Sequence, residues 1–333
     1  MNLMANISKR YEQRLLLMQR KLMFEMDTIL SRSFFDLAAA ASKVRYRDKV
    51  INIRRYPGLQ KKVDEILSTM KTKVEITLVN GIEGAWGLSD QKNKIFVEQR
   101  FADTVPTKFR KQLYNSNLPA REKFINRVED GMNLSDRVWN LTKSVKKELE
   151  AGIQKGLEVG KASNVFQKDL HNYLLNPKGH PYPGRGVYRS ARANAFRLTR
   201  TETNMAYRTA DYERWNSQPF VVGVQVDTSN NHPDYDICDE LAGKYPKDFL
   251  FRGWHPQCRC HAKPILITSD EMDKYEDHIL GIGKWDGESK NEVTKAPPEF
   301  YQYLRENKDK INRLSNTPYW VIDNKGYTAL LNK

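Results

Sequence analysis

All three cysteines of this 333-residue chain lie between positions 238 and 260, and three of its six histidines fall with them between 232 and 261. The cluster reads His232-Pro-Asp-Tyr-Asp-Ile-Cys238 and then Trp254-His255-Pro-Gln-Cys258-Arg-Cys260-His261. A strand pattern stands on each side of it. Phe220, Val222, Val224 and Val226 alternate before it, and Pro264–Thr268 follows it. Between them the sequence predicts an irregular loop of roughly 35 residues, a length that needs a metal or a bound partner to hold it. Thiolate and imidazole are the donors that Zn²⁺ favours, and metal binding can stand in for a missing core. The candidate ligands are His232, Cys238, His255, Cys258 and Cys260. Cys258 and Cys260 are separated by one residue, so an extended segment points both to one face. That spacing is tighter than in zinc knuckles, and the chain has no CxxC.

Three readings of the cluster stand open. It is a structural metal site, or a packing loop whose cysteines are small buried hydrophobes, or a catalytic metal or thiol. In the catalytic reading His232 or His255 activates water beside a metal held by Asp227, Asp234 or Asp236. No nuclease spacing, no orienting third group for a Cys–His nucleophile and no phosphate loop of the GxxxxGK[ST] type accompanies it.

The rest of the chain reads as mostly helical. Ile7, Tyr11, Leu15, Met18, Leu22, Met26 and Ile29 step by three or four and predict one long amphipathic helix over the first forty residues. Its basic residues suit either a solvated face or a docking helix for an acidic partner or DNA. Tyr56-Pro57-Gly58 breaks the pattern, and a helix from Leu59 to Met70 follows. Val74, Ile76 and Leu78 then alternate, so a small β element is expected over 72–98, with a connection over 102–120. Ser135 can cap a helix lined by Val138, Leu141, Val145, Leu149 and Ile153, with Gly156 and Gly160 weakening its end. Ser163 to Leu174 is the next helix, Gly179–Gly186 a loop, and Ser190–Trp215 a long Ala- and Arg-rich helix. A helix over 299–314 and a strand-like Tyr319–Ile322 close the chain. The expected class is α+β.

Charge narrows the partners. Lys and Arg number 55 against 41 Asp and Glu, a net charge of +14. Residues 1–60 carry +7 and residues 178–214 carry +5. An anionic partner is expected: nucleic acid, an acidic protein surface or a membrane face. No segment reaches the roughly 18–20 apolar residues of a membrane span. Leu15–Met18 is too short for a signal peptide, so no export route is expected. Three cysteines are too few for a disulfide framework.

Within the Arg-rich helix, Arg197, Arg200, Thr201 and Asn204 form a polar stripe, with Glu202 on another face. The stripe is either solvated or partly buried. If buried, Arg200 can fork to a carboxylate or to main-chain carbonyls of the cysteine loop. Arg200-Thr201-Glu202-Thr203, then Asp236-Ile-Cys238-Asp-Glu-Leu241-Ala-Gly243-Lys, then His255-Pro-Gln-Cys258-Arg-Cys260 resembles the phage Mu F-like minor head protein domain. This is a head morphogenesis family of tailed bacteriophages and prophages. Many members look like CxxCxxLxG in the first half; here Tyr235 stands where the first cysteine would be, and His232 is the residue to supply a missing ligand.

The resemblance covers about 119–268. With 119–268 as a Mu F-like domain, the resemblance leaves uncovered a helical 1–118 with the small β insertion and an extension over 269–333. It further implies a minor capsid protein that contacts the portal protein, other capsid proteins and packaged double-stranded DNA. Lys and Arg would meet the DNA without reading sequence. The protein would reside in the virion, and in the host cytoplasm during assembly, with no membrane partner and no established enzymatic activity. The alternative is a metal-dependent nuclease or a toxin-like effector carried in the virion. Arg197, Arg200, Glu202 and Asn204 are the structural or DNA-contacting candidates, and a structural Zn²⁺ is the cofactor expected.

Overall fold

The computed structural model describes residues 2–48, 50–101, 105–159, 163–176, 190–229 and 235–331. The chain is α+β and 70% helical, with one small three-stranded antiparallel sheet. The helices before the sheet are α1 (Asn2–Ser42), α2 (Pro57–Phe101), α3 (Thr107–Tyr114), α4 (Leu118–Ile125), α5 (Leu134–Glu158), α6 (Ser163–Leu175) and α7 (Ala191–Ser217). Strand β1 (Val221–Asp227), helix α8 (Ile237–Glu240) and strands β2 (Gly243–Tyr245) and β3 (His261–Leu266) follow. Helices α9 (Ser269–Leu280), α10 (Pro298–Asn312), α11 (Tyr319–Asp323) and α12 (Lys325–Thr328) complete the chain. The expected loop over Gly179–Gly186 lies outside the described residues.

Three local expectations fail. No β element occupies 72–98; α2 runs through it. Val63, Leu67, Met70, Val74, Leu78, Ile82, Ala85 and Trp86 are all buried at helical steps, whereas Ile76 is 54% exposed. Three alternating residues thus meant little against a stripe that continues on both sides. Burial also outweighs the cost of about 1 kcal/mol for each interior glycine. The connection over 102–120 contains α3 and the start of α4. Tyr319–Ile322 is helical, launched from Pro318 with Trp320 and Val321 buried. In addition, α5 is capped by Asn133, not Ser135: Asn133 and Asp136 exchange side-chain to backbone bonds in a capping box.

The described residues form two compact units, each assembled from separated stretches of chain. One comprises Met1–Met18, Ile82–Asp130 and Thr201–Lys333; the other comprises Gln19–Gly81 and Gly131–Arg200.

The first unit holds the sheet, in the order β2-β1-β3. β1 pairs with β3 from Asp227↔His261 to Val221↔Leu266, so the two ends of the cysteine loop are laced together. The loop returns once to the sheet, with Tyr245 opposite Val224. Beneath it lies an aromatic core. Tyr245 and Phe249 ring centroids are 4.4 Å apart, and Trp254 meets Trp320 of α11 at 5.8 Å. Phe300 of α10, fully buried, stands edge-on to Tyr245 and Phe249. Polar side chains in this unit's α2 are accounted for by α7. Asp211 accepts from Ser89 and Asn93 and pairs with Lys92, all of them buried.

Among its described residues the second unit holds helices and no strand. Its α5 presents Gly152 and Gly156 one turn apart to α6. A Cβ at Gly156 would lie 2.3 Å from the Phe166 ring, so this glycine serves close packing rather than helix termination. Glu148 of α5 is fully buried and accepts from the Ala191 N–H at the start of α7 at 2.7 Å. Its Oε2 has no partner among the described residues. Burial pushes its carboxyl up from 4.5 to about 7, against the pull of the Ala191 bond. A raised native value adds stability at pH below the unfolded value, and that contribution is lost as pH rises through about 7. Glu148→Gln should therefore gain on the wild type by on the order of 2–3 kcal/mol between pH 5 and pH 8. Paired melting curves across that window check it; a constant difference would contradict it.

Candidate metal centre

Three short devices bring the thiols together. Asp236 caps the single turn of α8, its side chain accepting from the Cys238 N–H at 2.6 Å while Asp239 reaches back to the Asp236 N–H. Cys238 is thereby fixed at the inner end of that turn, 1% exposed. His255 to Cys258 forms a tight turn, closed by the Cys258 N–H on the His255 carbonyl at 3.0 Å. Pro256 takes its second position, and Gln257 takes the third with φ 65°. A non-glycine residue there costs on the order of 1 kcal/mol, offset by its N–H bonding Thr201 Oγ1 at 3.1 Å. Gly253 has φ 125°, and a Cβ on it would lie 2.7 Å from Arg208 Nη1. Only glycine fits that approach.

The ligand atoms of Cys238, Cys258 and Cys260 all lie within 4.8 Å of one another, and all three residues are buried. A second group, Asp236, Cys238 and His255, meets the same distance and shares Cys238. Cys238 Sγ is 3.8 Å from Cys258 Sγ and 3.1 Å from His255 Nε2. His255 Nδ1 lies 2.8 Å from the Pro256 carbonyl oxygen. A carbonyl only accepts, so Nδ1 carries the proton and Nε2 turns its lone pair toward the Cys238 thiol, with Asp236 at 3.4 Å beside it. This is the arrangement by which a metal-ligating histidine is oriented. The Cys238 and Cys260 thiols donate to the Cys258 sulfur and, with the Arg208 guanidinium, hold its thiol well below the ordinary range despite burial. Cys238 is pushed up, first by donating to Cys258. Without a cation the cluster can ionise only one sulfur easily; a cation makes further thiolates accessible.

The main chain of this loop is held from α7. Arg208 Nη1 donates to the Arg252 carbonyl at 2.8 Å, and its Nη2 donates to the carbonyls of Cys258, at 2.9 Å, and Cys260. Asn204 Nδ2 adds a bond to the Cys258 carbonyl at 3.1 Å. The fork onto main-chain carbonyls anticipated for Arg200 thus belongs to Arg208. Arg200 is half-buried and directs Nη2 to Met23 Sδ at 3.5 Å. Arg197 bonds Asn194 on its own helix at 3.0 Å. Glu202 is fully buried and begins a chain of alternating charge. Arg127 pairs with Glu202 at 2.8 Å and with Glu129 at 2.8 Å. Glu129 then meets Arg252 at 2.7 Å, and Arg252 grips Asp323 of α11 through two bonds of 2.7 and 2.8 Å. Burial opposes the charge on Arg252, but Asp323 and Glu129 outweigh it and raise its pKa.

Of the sequence candidates, Cys238, Cys258 and Cys260 converge and His255 joins them through Cys238, while Asn204 bonds the Cys258 carbonyl and Glu202 reaches the loop through Arg127, Glu129 and Arg252. His232 lies outside the described residues. Arg208, Arg127, Arg252 and Asp323 went unforeseen. Arg208 follows Asn204 by one helical turn, the one signal that could have marked it.

Arg208→Ala strands the buried carbonyls of Arg252 and Cys260, leaves that of Cys258 to Asn204 alone and should cost roughly 3–5 kcal/mol, whereas Arg200→Ala should cost about 1 kcal/mol or less. Arg208→Lys should recover little, because an ammonium lacks the planar fork. Thermal or urea unfolding of the three variants decides, and equal losses for Arg200→Ala and Arg208→Ala would contradict the assignment. Comparison with protein-family models, curated proteins and solved structures returned no match.

Proposed function

We propose that the chain is a minor head protein of a tailed bacteriophage or prophage, structural rather than enzymatic, whose cysteine loop is locked by one Zn²⁺. The observation that carries this reading is the convergence of three separated motifs. Thr201, Glu202 and Asn204 of the first, Cys238 and buried Leu241 of the second, and the His255–Cys260 turn of the third all serve one centre. Thr201, Glu202, Cys238, Leu241 and the His255–Cys260 turn belong to the motifs on which the resemblance in sequence rests.

Cys238, Cys258 and Cys260 would hold the ion, with His255 as fourth ligand. Two sulfurs each about 2.3 Å from one tetrahedral Zn²⁺ stand about 3.8 Å apart. Cys238 and Cys258 stand 3.8 Å apart. Three sulfurs and one nitrogen complete a tetrahedron and leave no open position, which is the mark of a structural site. Bound there, Zn²⁺ would supply cross-linking energy to a loop that has little regular structure of its own. Partners in this reading are the portal protein, other capsid proteins and packaged duplex DNA, in the virion and in the host cytoplasm during assembly.

The purified full-length protein should carry one equivalent of zinc and co-purify with the portal protein of the same phage. Cys258→Ser should lose the zinc and expose 235–262 to protease while α5 keeps its helicity. Well under half an equivalent of zinc, with all three thiols freely titratable in the native state, would overturn the metal assignment. A zinc-loaded protein that never co-purifies with the portal would overturn the head-protein reading alone. Cleavage of duplex DNA that needs metal and stops with chelator would instead favour a nuclease built on Asp236, Cys238 and His255.

A further inference from the structure

The chain's positive charge is not spread along α1. Residues 1–42 hold six basic and four acidic residues, whereas residues 43–62 hold eight basic and one acidic. Those twenty residues carry +7, half of the chain's net charge, and they form the corner between α1 and α2.

The corner is pinned rather than loose. The Ile51 N–H donates to Gln154 Oε1 at 2.9 Å, and the Ile53 N–H donates to Glu150 Oε1 at 3.0 Å, both acceptors on α5. The Tyr56 hydroxyl oxygen accepts from the backbone N–H groups of Arg47 and Asp48 at 3.1 and 3.2 Å. Tyr46 donates to the Ala41 carbonyl at 2.9 Å and meets the Tyr56 ring edge-on at 5.2 Å. Burial raises the Tyr46 phenol, so it stays a neutral donor.

On this frame Lys43, Arg45 and Arg47 are exposed while Val44, Tyr46 and Asp48 turn inward. Cations at alternate positions of an extended chain stand about 7 Å apart, comparable to the spacing of successive phosphates on one nucleic-acid strand. Arg54 and Lys61 stand exposed beside them. None of these five cations has a carboxylate partner among the described residues. Asp48 is engaged by Arg55, and Lys62 by Glu65. Among the described residues of 43–62, Val50 is the one large apolar side chain that is exposed. A protein interface needs an apolar centre, and this surface lacks one; a polyphosphate needs only fixed cations.

We infer that the α1–α2 corner is the surface on which this protein holds the phosphate backbone of duplex DNA, without reading sequence. The inference rests on the proposed function in taking packaged DNA as the partner. It assigns the DNA to the described residues of 43–61 rather than to the Arg-rich helix. There Arg208 and Arg214 are buried and bonded to carbonyls of Cys258 and Leu113.

The test is binding of the full-length protein to a fluorescent short duplex, titrated from about 50 to 200 mM salt. One variant neutralises the corner (Lys43→Gln, Arg45→Gln, Arg47→Gln, Arg54→Gln). A second removes the same charge from α1 (Lys9→Gln, Arg10→Gln, Arg20→Gln, Lys21→Gln). The corner variant should bind on the order of a hundredfold more weakly at low salt. Its slope of log affinity against log salt should fall by about three to four, near 0.9 for each phosphate no longer neutralised. The α1 variant should stay within a few-fold of the wild type, and two unrelated duplex sequences should bind alike. Unchanged circular dichroism and melting temperature establish that the corner variant is folded. Should it unfold, the Arg45→Gln, Arg47→Gln double variant takes its place, with about half the drop in slope. Equal weakening of the corner and α1 variants, or a corner variant with the wild-type slope, would overturn the inference but leave DNA as a partner. A wild type that ignores DNA would remove DNA from the proposed function as well. Tighter binding to the single strand, or to polyglutamate, would reassign the corner to that polyanion and overturn the duplex assignment.

Discussion

One guanidinium holds the cysteine loop in place. The carbonyls of Arg252, Cys258 and Cys260 all face α7, where no strand or helix pairs them, and Arg208 bonds all three. Asn204 alone would still serve the Cys258 carbonyl, and the other two, left unpaired and buried, would cost several kcal/mol together. The same side chain favours a thiolate at Cys258. Its positive charge therefore does two things at once: it closes the backbone of an irregular loop and favours the thiolate form of a buried sulfur. The ion-pair chain from Glu202 to Asp323 fixes the other side of the loop through Arg252. Buried pairs of this kind add little net stability over apolar packing, but breaking one leaves an uncompensated charge. They specify where the loop sits more than how strongly it holds.

The cluster was legible in the sequence because its thiols and imidazole are local. Cys238, His255, Cys258 and Cys260 announce themselves by density, and Pro256 marks the turn that presents the last two. The helices α1, α5, α6 and α7 were legible for a different reason, since an apolar stripe at three- and four-residue steps has few other solutions. What escaped was information held by tertiary packing. Val74, Ile76 and Leu78 alternate as a strand would, and only the buried stripe on both sides shows that Ile76 is a solvent-facing helical residue. Arg200 and Arg208 look alike in sequence; which one meets the loop depends on where α7 docks. Asp323 lies 71 residues from Arg252 and carries no local sign of its role. The turn α8 and the strand β2, four and three residues long, are too short to display a period.

Charge tells a similar story. A count over residues 1–60 or 178–214 suggests two basic surfaces, but composition does not distinguish a cation on the outside from one bonded within. Arg208 and Arg214 belong to the interior. Lys43, Arg45 and Arg47 belong to the outside and are presented by a segment whose backbone is tied at both ends. The proposed head protein thus divides its basic residues by task. Buried arginines neutralise carbonyls and carboxylates of the fold, while exposed ones at the α1–α2 corner remain free for phosphate.

The central claim is that Cys238, Cys258 and Cys260 form a closed metal site with one imidazole. X-ray absorption at the zinc edge of the purified protein tests it most directly. The account predicts about three sulfur scatterers near 2.3 Å and one nitrogen near 2.0 Å, with no bound water. A shell of oxygen and nitrogen alone, or two sulfurs with an exchangeable water, would contradict it.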